Sequence, residues 1–513
     1  MTTQDGCHYH INQGLIHGVP SRAKISPAER LAPGEQTLDT IVIGAGYAGL
    51  VASRNLALQG KQVLLLEARD RIGGRTFTSD IDGYGYEMGG NWIHWGQPHV
   101  YAEVSRYSMA NELVSSQDYS YEEGNYCSTM IHDTKGQLTH QEEEHIGETA
   151  MSIFCDVDGQ GGRRVVPFPH NSRFKANVFA KWDKVSCQDR LDQIKNKLSP
   201  LQLAFLTSTL MHISGANNED VSVAEMLRWW ALCDYRNSGI TDYGLLYKLK
   251  CGQTGLAKAI FDEAVQLGNL QYKFSAPAAS VRDEGSIVEV TTRAGQRFRA
   301  KTMISTIPLN VLSSIRFTPP LPAGKALAAQ QGHVNKATKT HFEVKGTGLR
   351  SWSGVAYPSK GQMYLYGDGL TPAGDTHIIA FGPDPGLFAG KKIDKIKGAL
   401  THVKDAEIKR VQLIHHGSRV QAHEYELKHV QIFHDWNQDE FSKGTWAVYP
   451  PEFATKYLDD LQRPVGRIHF ASADWAEGWR GFIDGAIEQG ARAALAVSKE
   501  LVTRRSVLKT SHL

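Results

Sequence analysis

Cysteine is scarce in this chain: six residues in 513, at positions 7, 127, 155, 187, 233 and 251, with no C-x-x-C pair and no regular spacing. Neither a disulfide framework nor a thiolate zinc site fits that pattern, which suits reduced thiols in an intracellular protein. A charge excess is missing too. The 56 basic side chains balance 54 acidic ones and no basic stripe stands out, so nucleic acid is not an expected partner. No apolar run approaches the length of a membrane-spanning helix, and residues 1–6 are polar rather than signal-like, so no membrane span is expected. At 513 residues the chain exceeds one ordinary core, and two domains are the natural expectation.

What the chain has in quantity is glycine, and three separated glycine signals fall between Asp39 and Trp95. The apolar run Thr40-Ile41-Val42-Ile43 reads as a buried strand; Gly44-Ala45-Gly46-Tyr47-Ala48-Gly49 follows, then a helical pattern through Leu50, Ala52, Leu56 and Leu58. A second apolar run, 62–66, ends on Glu67. Strand, G-x-G-x-x-G, helix, strand and terminal acid make up a dinucleotide-binding βαβ unit. Gly44 permits the tight turn, Gly46 lets backbone approach a pyrophosphate, and Gly49 lets helix and strand pack closely. The helix N-terminus offers unpaired N–H groups and a positive dipole end. Glu67 can accept from both ribose hydroxyls and would repel a 2′-phosphate, so the reading is an adenine dinucleotide with NADP disfavoured. The second signal, Arg69-Asp70-Arg71-Ile72-Gly73-Gly74-Arg75-Thr76, sets a glycine pair beside guanidinium groups that can fork onto phosphate oxygens. In the third, 86–95, small residues would let a planar ring lie against backbone.

With the fingerprint in place, Arg71-Ile72-Gly73-Gly74-Arg75, Glu87-Met88-Gly89-Gly90 and a C-terminal block at 468–486 complete a set that resembles the flavin amine oxidase family, most closely the fungal monoamine oxidases. The resemblance runs from about 41 to 502. It implies an α/β fold: a discontinuous, FAD-binding Rossmann-type (glutathione-reductase-like) domain with a mixed-sheet plus helical substrate domain. The expected division is an N-terminal arm over the surface at 1–38, FAD-binding segments at 39–115, 248–331 and 440–502, substrate segments at 116–247 and 332–439, and a tail at 503–513. FAD would be held by Gly44, Ala45, Gly46, Ala48 and Gly49, by Glu67, Ala68, Arg69, Gly74 and Arg75, and by Gly89, Gly90, Asn91 and Trp92. The resemblance adds Val281 beside the adenine, then Trp446, Asp474, Phe482, Ile483 and Ala486, the last two opening a helix whose N–H groups could stabilise charge on reduced flavin.

The same resemblance places Trp446 and Phe482 as aromatic walls on the path to the flavin, where periodicity alone would read two core aromatics. Lys339 lies in an alternating strand pattern that by itself puts it on a solvated face with His341 and Glu343; the family's lysine there holds a water against flavin N5 and assists reaction with oxygen. Thr445 stands where covalent members carry the cysteine that bonds flavin, so FAD should be noncovalent. Thr209, His212 and Thr241 replace larger apolar residues while Leu245 keeps the apolar type, which points to a more polar or roomier pocket for an aryl-alkyl or functionalised amine. Helical core packing is the alternative for all four.

The implied activity is oxygen-dependent oxidation of a primary amine, with secondary amines also open, to an imine, releasing hydrogen peroxide. An L-amino acid oxidase would need a cationic clamp, for which Arg228 and Lys360 are candidates; polyamine oxidation would need acids such as Asp242. A pathway-specific alkaloid oxidase and a flavin-bearing protein without turnover complete the alternatives. Two segments stand apart. Residues 413–431 are extra relative to the family and carry His415, His416, His423 and His429, which read as a surface loop or a mistranslated stretch rather than a metal site. Ser511-His512-Leu513 resembles a peroxisomal address, implying an import receptor as partner, with the cytoplasm as the other location. A homo-oligomer is compatible with the sequence.

Overall fold

A computed structural model of the chain describes residues 1–10, 14–32, 38–132, 134–358, 364–382 and 431–510. Its centre is a sheet whose described strands run, edge to edge, Arg316–Thr318, Ala278–Asp283, Val288–Thr292, Arg297–Ser305, Leu38–Ile43, Val63–Leu66, Leu270–Lys273 and Glu29–Arg30. Arg297–Ser305, Leu38–Ile43, Val63–Leu66 and Leu270–Lys273 are mutually parallel, and Ile468–Phe470 joins the C-terminal end of Arg297–Ser305 in the same sense. Every residue of Leu38–Ile43 and Val63–Leu66 is buried, as a parallel sheet covered on both faces requires. Helix Tyr47–Leu58 packs on this sheet against Gln253–Gln266 and the long Ile483–Thr510. The cofactor unit is therefore assembled from segments far apart in sequence.

A second sheet is mostly antiparallel and runs Thr134–Leu138, Cys127–Ile131, Ser353–Tyr357, Tyr364–Leu370, Thr376–Gly382, Thr338–Val344, Gln431–Phe433, Thr2–His10 and Gly14–Pro20. Helix His140–Cys155 packs on Pro200–Ser214 and Val223–Leu232, and the larger apolar core joins these helices to strands of the first sheet.

The N-terminal stretch departs from expectation. Rather than an arm over the surface, Thr2–His10 and Gly14–Pro20 form a hairpin that closes the second sheet, and Glu29–Arg30 edges the first. Its polar composition misled, because its pairing comes from backbone amides and from Asp5 meeting Arg69 and Arg71. At the other end, helix Ile483–Thr510 continues well past 502. The strand Gln431–Phe433 pairs with both Thr338–Val344 and Thr2–His10 immediately after the extra segment, so the sheet is continuous there. His415, His416, His423, His429, Lys360 and the 511–513 tripeptide lie outside the described residues.

Candidate active site

The two glycine turns meet back to back. Gly44 has φ +105° and Gly74 φ +61°, conformations that side chains strain to adopt. A Cβ on Gly49 would overlap the Gly44 carbonyl oxygen, and one on Gly74 would stand 3.1 Å from Gly46 Cα. Gly46 caps helix Tyr47–Leu58, and no side chain caps its N–H groups and no acid occupies its first turn. Those amides open onto a cavity of about 280 Å³ lined by Gly44, Gly46, Ala48, Glu67, Gly74 and Asn91, among others. Glu67 accepts from Ala45 N–H at 2.5 Å and Arg69 N–H at 2.8 Å; burial pushes its carboxyl above the usual range against those two amides. Asn91 keeps both side-chain amide atoms buried without a partner among the described residues, a costly state unless a ligand answers it. An uncapped helix end, paired glycine turns, an acid on the cavity wall and an orphan amide fit a dinucleotide.

The arginines do other work than expected. Arg69 bonds Asp439 with both terminal nitrogens, at 2.6 and 2.9 Å, and Asp5 at 3.0 Å, while fully buried Arg71 holds Asp5 at 2.7 Å. Arg75 bonds Asp474 at 2.6 Å and the Thr445 carbonyl at 2.5 Å. Arg69 and Arg75 still line the cavity, each tied by an acid from a distant segment, whereas buried Arg71 does not reach it. Asp474, also bonded by Leu309 N–H at 2.8 Å, lies behind the lining Ser472 and Ala473 rather than on it. Val281 is likewise corrected: it packs in the core, and the chain meets the cavity three residues earlier, at Ala276, Pro277 and Ala278. Ala45 and Gly49 sit one layer back as well, whereas Ala68, Gly89, Gly90, Ile483 and Ala486 are on the wall.

At the other end the cavity turns aromatic. Trp446, Phe482 and Trp92 all line it, joined by Trp229, Trp436 and Phe381, which sequence reading did not single out. Trp446 donates its indole N–H to Ile213 O at 2.9 Å; Phe482 leans on Trp229 and Trp479 with ring centres 4.8 and 5.0 Å away. Lys339 is buried, not solvated: its ammonium donates to Gly89 O at 3.2 Å and stands 4.8 Å from the Trp92 ring. Burial lowers it to about 8. The alternation was right, but the Tyr84–Glu87 strand and its following turn cover the face it identified.

Of the four pocket residues expected, His212 and Leu245 line the cavity and Thr209 and Thr241 do not. A π-helical turn, Asp242–Leu246, advances Leu245 and Gly244 to the wall and leaves Thr241 behind. His212 sits near Tyr364 and Phe381, ring centres 4.8 and 5.2 Å away, and burial lowers it to about 4, so its imidazole is neutral. Arg228 is paired with Glu225 and Gly478 O, and neither it nor Asp242 reaches the lining. None of the six cysteines lines the cavity, in keeping with noncovalent FAD. Among the described residues there is no metal-ligand cluster and no helix long and apolar enough to cross a membrane.

A glycine-cradled cavity running into an apolar, aromatic chamber fits a flavoprotein oxidoreductase. The chain belongs to the flavin containing amine oxidoreductase family, whose model matches residues 47–498. It is 30% identical over 498 residues to a pseudooxynicotine dehydrogenase of Pseudomonas sp., covering 96% of this chain and 93% of that protein, and 27% identical over 482 residues to the flavin-containing amine oxidase B of Bos taurus, covering 89% and 85%. In fold it is similar to putrescine oxidase bound to putrescine (TM-score 0.70, 19% identity, 91% of this chain and 100% of that one) and to cyclohexylamine oxidase of Brevibacterium oxydans (TM-score 0.68, 19% identity, 91% and 100%).

Proposed function

We propose that the protein oxidises a neutral aryl-alkyl or otherwise functionalised amine to its imine, with O2 reduced to H2O2, and that hydrolysis of the imine yields aldehyde and ammonia. The carrying observation is the aromatic cavity end, where Trp446, Phe482, Trp229 and Trp92 surround a space reached by one ammonium, that of Lys339, among its described lining residues. FAD, when bound, accepts the two electrons of the amine's α-C–H. The chain's residues do the rest. Glu67, the uncapped helix end and Asn91 hold the cofactor; the rings exclude water and align an uncharged amine. Helix Ile483–Thr510 directs its N-terminus at the cavity, where it favours developing negative charge. Lys339, with its lowered proton affinity, can place a water beside Gly89 and Trp92.

His212 carries the pocket's polarity, since the two threonines expected to share it point elsewhere. Among the described residues Arg228 offers no carboxylate clamp for amino acids, because it is spent on Glu225. A peroxide assay, with an artificial dye acceptor run in parallel because relatives are named dehydrogenases, tests the reading across benzylamine, n-alkylamines, L-phenylalanine and spermine. Turnover of benzylamine and alkylamines above the other two supports it; none with any amine and either acceptor ends it. His212→Leu should reorder the ranking of ring-substituted benzylamines, and an unchanged order would count against a polar pocket. The nearer likeness to fungal enzymes and delivery to peroxisomes through Ser511-His512-Leu513 belong to the same proposal, supported by the tripeptide and by the peroxide the reaction releases; a fluorescent fusion that stays cytoplasmic would refute the second.

A further inference from the structure

Three successive carbonyls of the cofactor-facing turn are each held by a side chain, two of them from strand Thr338–Val344 and one from Trp436. Glu87 O accepts from His341 Nε2 at 2.9 Å, Met88 O from Trp436 Nε1 at 2.9 Å, and Gly89 O from Lys339 Nζ at 3.2 Å. Behind His341 the bonding continues. Its Nδ1 is 2.8 Å from His377 Nε2, and His377 Nδ1 is 3.0 Å from the Tyr84 hydroxyl and 3.3 Å from Asp368. Asp368 is bound in turn by Lys248, at 2.5 Å to the carboxylate and 2.8 Å to the carbonyl. Both imidazoles are essentially without solvent exposure. Burial keeps His377 down at about 4 and His341 well below its ordinary value, so both are neutral.

With both rings neutral, proton counting from the Glu87 carbonyl gives one consistent set of tautomers. A carbonyl only accepts, so His341 carries its proton on Nε2 and presents a bare Nδ1. His377 must donate to it from Nε2, which leaves His377 Nδ1 bare, and Tyr84 O–H fills that lone pair. The Asp368 oxygen nearest His377 Nδ1 is the one that the Lys248 ammonium binds, which offsets its charge beside that ring. Tyr86 packs edge-on against both imidazoles, with ring centres 5.7 and 5.0 Å away, and holds them in plane with the chain of bonds.

We propose that His341 is a positioning residue whose N–H is aimed by the relay Tyr84–His377, and that this relay and Lys339 together fix the Glu87–Gly90 turn where it meets the flavin. The inference rests on the flavin-site reading above. The turn carries two wall residues, Gly89 and Gly90, and its Gly89 carbonyl anchors Lys339, so slack at Glu87 O moves both the floor of the cofactor site and the ammonium beside it.

The test is the rate at which FAD leaves the holoenzyme on dilution, read from the fluorescence of released FAD with no amine present. His341→Leu should quicken release tenfold or more, whereas His341→Gln, which keeps an N–H for Glu87 O, should stay within about threefold of the parent. Tyr84→Phe should quicken release about threefold in the parent and leave it unaltered in the His341→Gln background, where no tautomer remains to be set. Release from His341→Leu within twofold of the parent, or a Tyr84→Phe effect of equal size in both backgrounds, overturns the proposal. If His341→Leu does not fold, the Tyr84→Phe comparison decides alone. A protein that holds FAD but oxidises no amine would remove the proposed function and leave this inference standing.

Discussion

Lys339 shows what a single buried ammonium costs and why it is kept. Its ordinary value of 10.5 falls to about 8, a gap of roughly 3 kcal/mol in favour of the unfolded chain wherever both states are protonated. Lys339→Met lifts that penalty but leaves Gly89 O without its donor, a loss of about 1 kcal/mol. The variant should therefore be more stable than the parent by about 1–2 kcal/mol at pH 7, while reoxidation by O2 slows tenfold or more. The sign follows from the lowered value: the penalty is complete below 8 and vanishes as pH rises from 8 to 10.5, so the stability gain should shrink across that interval. Thermal melts at pH 7 and pH 10 with stopped-flow reoxidation check both halves. A variant that is less stable at pH 7 would mean the ammonium is better solvated than its surroundings suggest.

At the scale of elements, the fingerprint glycines separate by what stands behind each. A Cβ on Gly49 overlaps the Gly44 carbonyl, whereas one on Gly46 meets only Gly74 Cα, at 3.8 Å. Gly49→Ala should thus destabilise the fold by roughly 3 kcal/mol or more, because backbone must move. Gly46→Ala should keep the melting temperature of the FAD-free protein within a few degrees while weakening FAD binding at least tenfold. Denaturation and FAD titration of the two variants distinguish them; equal FAD loss with equal destabilisation would mean that Gly46 serves packing alone. This βαβ unit was legible from sequence because its signal is local: periodicity, glycine spacing and a terminal acid all fall within 30 residues. Val281 was misplaced by three positions because entry of a strand into a cavity depends on where its partners end. The alternation of Lys339, His341 and Glu343 gave the correct common face, but the Tyr84–Glu87 cover and the partners His377 and Asp368 come from other segments. Trp229 and Phe381 were missed for the same reason, since an aromatic on a core helix or strand has no local mark that it borders a cavity.

Across the whole molecule, Asp5 ties the two sheets together. It lies on Thr2–His10 of the second sheet and bonds Arg69 and Arg71 beside the first. Arg71 and then Arg69 hold its carboxyl below the ordinary 3.8 despite burial. Asp5→Ala leaves Arg71 buried and unpaired and should cost about 3 kcal/mol at neutral pH. Because the value is lowered on folding, that stabilisation is present above 3.8 and disappears as acid titrates the folded carboxylate, so the gap between parent and variant should close at lower pH. Chemical denaturation at pH 7 and below pH 4 would measure it, and a gap independent of pH would point to packing instead.

The interleaving of segments also sets a timetable for biosynthesis. Ile468–Phe470 pairs alongside Met303–Ser305, and helix Ile483–Thr510 is a principal packing partner of helix Tyr47–Leu58. Although the pyrophosphate turn emerges from the ribosome early, its backing arrives only about 420 residues later. Tight capture of the coenzyme should therefore wait for that helix, and a nascent chain stalled before it should leave the factory empty-handed.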